Sequence, residues 1–81
     1  MEIKAIENDI IHFLEKNILT EGITISAEKE LREVGIDSFS IVEIILFIER
    51  KYGFVIPDEK LIPDNFKTVN AIAKVVCEIG G

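Results

Sequence analysis

Apolar side chains recur at Ile3, Ile6, Ile10, Phe13, Leu14 and Ile18. This is the i, i+3, i+4, i+7 spacing of one helical face, and it predicts a helix over about residues 3–18. Glu7, Asp9, His12, Glu15 and Lys16 fall mostly opposite, as on a surface helix of a bundle with His12 in solvent. Between Leu19 and Asp37 the period is lost: Thr20, Gly22, Thr24 and Ser26 interrupt the anchors Ile23, Ile25, Leu31, Val34 and Ile36. A short helical turn is expected over 28–33. A connection longer than roughly 12–15 residues is uncommon and often functional. This one ends in Gly35-Ile36-Asp37-Ser38, where Gly permits a tight turn and Asp or Ser can cap a following helix.

The next periodic segment predicts a helix over Ser38–Tyr52. Arg50 and Lys51 suit its negative end, and Gly53 suits the position just past it. Phe54-Val55-Ile56-Pro57 reads as extended, because Pro57 disfavours a helical Ile56. A short helix is expected from Asp58 to Ile62, stopped by Pro63. Thr68 is a candidate N-cap for a last helix that buries Val69, Ile72, Ala73, Val76 and Ile79 and ends at Gly80 and Gly81. The fold class is therefore all-α: a small bundle of three main helices plus one short helix, with a long loop between the first and second helices. The expected organisation is one domain over residues 1–81.

The second helix is apolar on two sides. At about 100° per residue, Ile41, Ile44, Ile45, Ile48 and Tyr52 form one stripe, which suffices to face a core. Phe39, Val42 and Leu46 form another, flanked by Glu43, Glu49 and Arg50. Either a further element covers this second stripe, or it is a docking surface with an apolar centre and a charged rim. Ser38 likewise has two readings. It can be a plain helix cap, or its hydroxyl can receive a phosphoryl group whose charge the helix dipole favours.

Charge and chemistry narrow the function classes. Among 81 residues, 9 are basic and 15 acidic, for a net charge of −6. That argues against nucleic acid and against anionic membrane as partners. The single cysteine, Cys77, and single histidine, His12, exclude an internal disulfide and a Cys- or His-cluster metal site. No metal ligands are expected, and no catalytic residues either, since no acid/base pair or glycine-rich phosphate loop is visible. No apolar run approaches the roughly 18–20 residues of a membrane span, and residues 1–16 lack the h-region of a signal peptide. The expectation is a cytoplasmic monomer that is not an enzyme.

Gly35-Ile36-Asp37-Ser38-Phe39 resembles the Gly-x-Asp-Ser-Leu signature of acyl and peptidyl carrier proteins. The amphipathic first helix, the long loop, the Ser-led helix with Glu43 and Glu49, Ile56-Pro57 and Thr68-Val69 fit that family in order. The resemblance implies that Ser38, preceded by Asp37, bears a covalent 4′-phosphopantetheine. A phosphopantetheinyl transferase would transfer it from coenzyme A. The arm would carry acyl intermediates as thioesters to fatty-acid, polyketide or related specialised lipid enzymes. It also implies that Phe39, Val42, Glu43, Leu46 and Glu49, with Asp37, meet the basic docking patches of acyl-loading and acyl-processing enzymes. Ile44, Ile45, Ile48, Ile62 and Phe66 would border a cleft for the acyl chain, although an ordinary core explains them equally well. Phe39, Ser40, Arg50 and Lys51 depart from the fatty-acid-synthesis pattern, and the stretch from Pro57 to Thr68 is slightly longer. These departures leave the carrier role intact and make a specialised pathway at least as good a reading as general fatty-acid synthesis. The alternatives are an aminoacyl or peptidyl carrier, or a small helical adaptor without a prosthetic group.

Overall fold

The computed structural model describes residues 2–20 and 22–80. Three α-helices occupy Ile3–Asn17 (α1), Ser38–Tyr52 (α2) and Val69–Gly80 (α3). Three 3₁₀ turns lie between them, at Leu31–Val34, Asp58–Lys60 and Pro63–Phe66. Gly81, expected to help end the last helix, lies outside the described residues.

The core follows the apolar periods. Ile6, Ile10 and Leu14 of α1, Ile44 and Ile48 of α2, and Val69, Ile72, Ala73 and Val76 of α3 are all buried. α3 packs on α1 and on the Pro63–Phe66 turn. Being covered from two sides, it also buries Val75, which the single-face reading left out, while Ile79 is only half-buried. α1 ends where the Ile18 and Leu19 amides both donate to the Leu14 carbonyl, at 3.0 and 2.7 Å.

Glu7 departs from its expected place. It is buried, at 6% exposure, on the core side of α1. The Asn70 side-chain amide donates to its Oε2 at 2.8 Å, and the Asn70 backbone amide donates to the Ala27 carbonyl, also at 2.8 Å. One residue of α3 thus ties α1 and the long first loop together. A buried carboxylate needs such a partner. Tyr52 makes a second tie: its hydroxyl donates to Asp9 Oδ2 at 2.6 Å, joining α2 to α1. Burial first, and then the Asp9 carboxylate, push the Tyr52 phenol well above its ordinary pKa.

Both connections are held by a few anchors. In the first, Ile25, Leu31 and Ile36 are buried, and the Leu31 amide donates to the Lys67 carbonyl at 2.8 Å. Its 3₁₀ turn begins later than the expected 28–33. In the second, the expected short helix over 58–62 is replaced by the two 3₁₀ turns. Pro63 ends the first segment but also opens the next turn, where its missing N–H is a group that would go unpaired anyway. Thr68 caps α3 as predicted, its Oγ1 accepting the Ala71 amide at 3.0 Å.

Candidate functional site

The long loop delivers the chain to the start of α2 in a fixed geometry. Gly35 takes a left-handed conformation, φ 86°, which is cheap only for residues such as Gly. The turn it makes lets the Ile36 amide donate to the Leu31 carbonyl at 3.1 Å. With Ile36 buried, Asp37 and Ser38 emerge exposed. Asp37 is extended and is the N-cap: its Oδ1 accepts the Ser40 amide at 3.0 Å. That bond is the main cause holding its carboxyl below the usual range. Ser38 is therefore the first helical residue and not the cap, and its hydroxyl is left out of the helix start.

An open cleft of about 640 Å³ adjoins Ser38. It runs between the Leu31–Val34 turn, α2 and the stretch from Leu61 to Lys67. Leu31, Ile41, Ile45, Leu61, Ile62 and Phe66 give it an apolar lining, with Glu30, Arg32 and Lys67 at its edge. Of the residues expected to border a cleft, Ile45, Ile62 and Phe66 do so. Ile44 and Ile48 do not, being fully buried in the core; Ile44 precedes Ile45 by one residue and so points about 100° away. Leu31 and Leu61 were not anticipated, because only tertiary packing brings those loops to α2.

The second stripe of α2 is not covered by another element. Phe39, Val42 and Leu46 are 73%, 53% and 46% exposed. Glu43 and Glu49 share this side and are half-buried. Glu49 has a bond of its own, its Oε2 accepting the Ile56 amide at 3.1 Å. Beside Leu46, Phe13 and Phe47 stack at 4.4 Å between ring centroids. They floor a second groove of about 450 Å³ with Glu43, Arg50 and Lys51 at its edges. Phe47 was not singled out by periodicity; the signal was its place in the 43, 46, 47, 50 spacing of one helical seam. No group of His, Cys, Asp and Glu among the described residues could hold a metal, and no helix among them is long and apolar enough to cross a membrane.

Comparison with known proteins matches residues 13–76 to the family described as the phosphopantetheine attachment site. Aminoacyl carrier protein 1 of Bradyrhizobium diazoefficiens is 33% identical over 63 residues, covering 78% of this chain and 68% of that protein. The acyl carrier protein of Helicobacter pylori is 32% identical over 57 residues, covering 69% of this chain and 73% of that one. The fold matches a chain in the crystal structure of Bradyrhizobium japonicum glycine:[carrier protein] ligase complexed with glycylated carrier protein. The TM-score is 0.72 at 26% identity, over 90% of this chain and 96% of that chain. The chain thus belongs to the phosphopantetheine-attachment family, as a carrier protein that holds 4′-phosphopantetheine covalently and leaves catalysis to other chains.

Proposed function

We propose that Ser38 is the attachment point and that the protein carries acyl groups as thioesters between the enzymes of a specialised lipid or polyketide-like pathway. One observation supports this above the others: an exposed serine in the first turn of α2 lines an open, largely apolar cleft. The residues fit the group. A phosphodiester on Ser38 would lie at a helix N-terminus, whose partial positive charge favours it. Asp37 is engaged with the Ser40 amide, so it orders the turn that presents the serine. The terminal thiol of the arm supplies the thioester chemistry. Ile41, Ile45 and Phe66 provide apolar surface for a chain attached to it, worth about 0.8 kcal/mol for each methylene fully buried.

The transferase would dock on α2 to modify Ser38, and acyl-loading and acyl-processing enzymes would follow it to the same face. Phe39, Val42 and Leu46 would be their apolar contacts, with Asp37, Glu43 and Glu49 at the rim. The setting proposed is the cytoplasm. A second reading is an aminoacyl cargo, favoured by similarity to the aminoacyl carrier proteins of Bradyrhizobium and to the glycylated carrier in complex with its ligase. The two differ in what the cleft does. A charged amino group avoids an apolar lining, whereas a hydrocarbon chain enters it.

The test is to load the arm with octanoyl or with glycyl and compare melting temperatures. The acyl reading expects octanoyl to raise the melting temperature above that of the unloaded arm, and Ile45→Ala, which trims the cleft lining without placing a charge against the core, to lessen the rise. Equal melting for octanoyl, glycyl and free thiol would instead favour the aminoacyl reading.

A further inference from the structure

The exposed side of α2 does not carry one sign of charge. Of its acidic residues, Asp37 bonds the Ser40 amide and Glu49 bonds the Ile56 amide. Among the described residues Glu43 makes no ion pair, and neither do Arg50 and Lys51, whose side chains are exposed. These three edge the groove floored by the stacked rings of Phe13 and Phe47, with Leu46 between them. Glu43 and Arg50 are seven residues apart, hence on one side of the helix and about 10 Å apart along its axis. The seam therefore reads acid, apolar, base in the direction leading away from Ser38.

We propose that this groove is a docking site for a protein partner that presents an apolar side chain between a basic and an acidic group. The basic group meets Glu43. The acidic group meets Arg50 and Lys51, at the end of α2 far from Ser38. Charge complementarity selects this occupant. A second copy of the chain is disfavoured by the net charge of −6 that both copies would carry. A partner surface that is basic throughout would set like charges against Arg50 and Lys51, which selects against it more than it weakens the rest of the contact. The inference rests on α2 being the docking element of the carrier, as proposed above. It does not depend on modification of Ser38, which is read separately by mass.

Synthetic helical peptides serve as the probe. All share a central Leu pair, and they carry Lys at both ends, Glu at both ends, or Lys at one end and Glu at the other. Each is titrated into the full ¹⁵N-labelled chain and into Arg50→Glu/Lys51→Glu, with circular dichroism as the check that both are folded. For the wild type, the Lys/Glu peptide is expected to bind about two- to fivefold more tightly than either like-charged peptide, the range of one or two exposed ion pairs. Amide shifts should centre on Phe13, Leu46 and Phe47. In the variant the Lys/Lys peptide should become the tightest. The proposal is overturned if Lys/Lys binds the wild type as well as Lys/Glu does, or if the peptide ranking is unchanged in the variant. Shifts that centre on the Ser38 cleft, or no binding at millimolar peptide, overturn it as well.

Discussion

The Asp37 carboxylate accepts the Ser40 amide at 3.0 Å, and this one bond separates structure from chemistry at the head of α2. Because Asp37 caps the helix, the exposed Ser38 side chain has little structural work. Ser38→Ala should stay within about 0.5 kcal/mol of wild type, as for surface positions without special contacts. Asp37→Ala should lower the melting temperature clearly. Thermal melts followed by circular dichroism check this; an equal loss in both variants would put the cap on Ser38.

The same bond sets a pH dependence. The Asp37 pKa is lowered in the folded protein, chiefly by the Ser40 amide. Its contribution is therefore present above its unfolded pKa, near 3.9, and is lost as pH falls through the lower folded value. Asp37→Asn keeps a capping oxygen that does not titrate. The melting-temperature difference between wild type and Asp37→Asn should be constant from pH 7 to about pH 5 and shift against the wild type below about pH 4. A difference that does not change with pH would show that the charge contributes nothing there.

Much of this was legible in the sequence because it is local. The bounds of α2, Ser38–Tyr52, follow from an N-terminal Asp-Ser signal and from Gly53, which is left-handed at φ 77°. The exposure of Phe39, Val42 and Leu46 follows from the angular separation of two apolar stripes. What escaped notice depends on distant partners. Glu7 falls on the buried side of α1 because Asn70, 63 positions away, can pair with it. The groove over Phe13 and Phe47 needs α1 and α2 side by side. Pro63 reads as a stop signal, yet it also starts the next 3₁₀ turn. Glu49 reads as a free rim charge, but only the folded loop brings the Ile56 amide to it.

The two sides of α2 should respond oppositely to a charge. Leu46 is exposed and Ile48 is fully buried. Leu46→Asp should keep the helical circular dichroism spectrum and impair transfer to partner enzymes. Ile48→Asp would bury an unpaired carboxylate and should unfold the protein. Collapse of helicity in Leu46→Asp would place that side chain in the core.

The tie between α1 and α3 can be cut at one residue. Asn70→Ala removes the side-chain donor to the buried Glu7 carboxylate. The expected loss is about 1–3 kcal/mol, the penalty for leaving a buried polar group unsatisfied, measured by urea denaturation. A loss within a few tenths of a kcal/mol would mean that water reaches Glu7 once the amide is gone.

If Ser38 carries the arm, its modification is visible in the intact mass of the protein. Wild-type protein and Ser38→Ala are each incubated with coenzyme A and a broad-specificity phosphopantetheinyl transferase, after circular dichroism has shown both to be folded. A gain of one phosphopantetheine is expected on the wild type and no gain on Ser38→Ala. Modification of the folded Ser38→Ala protein, or an unchanged wild-type mass with a transferase active on a control carrier, would contradict it.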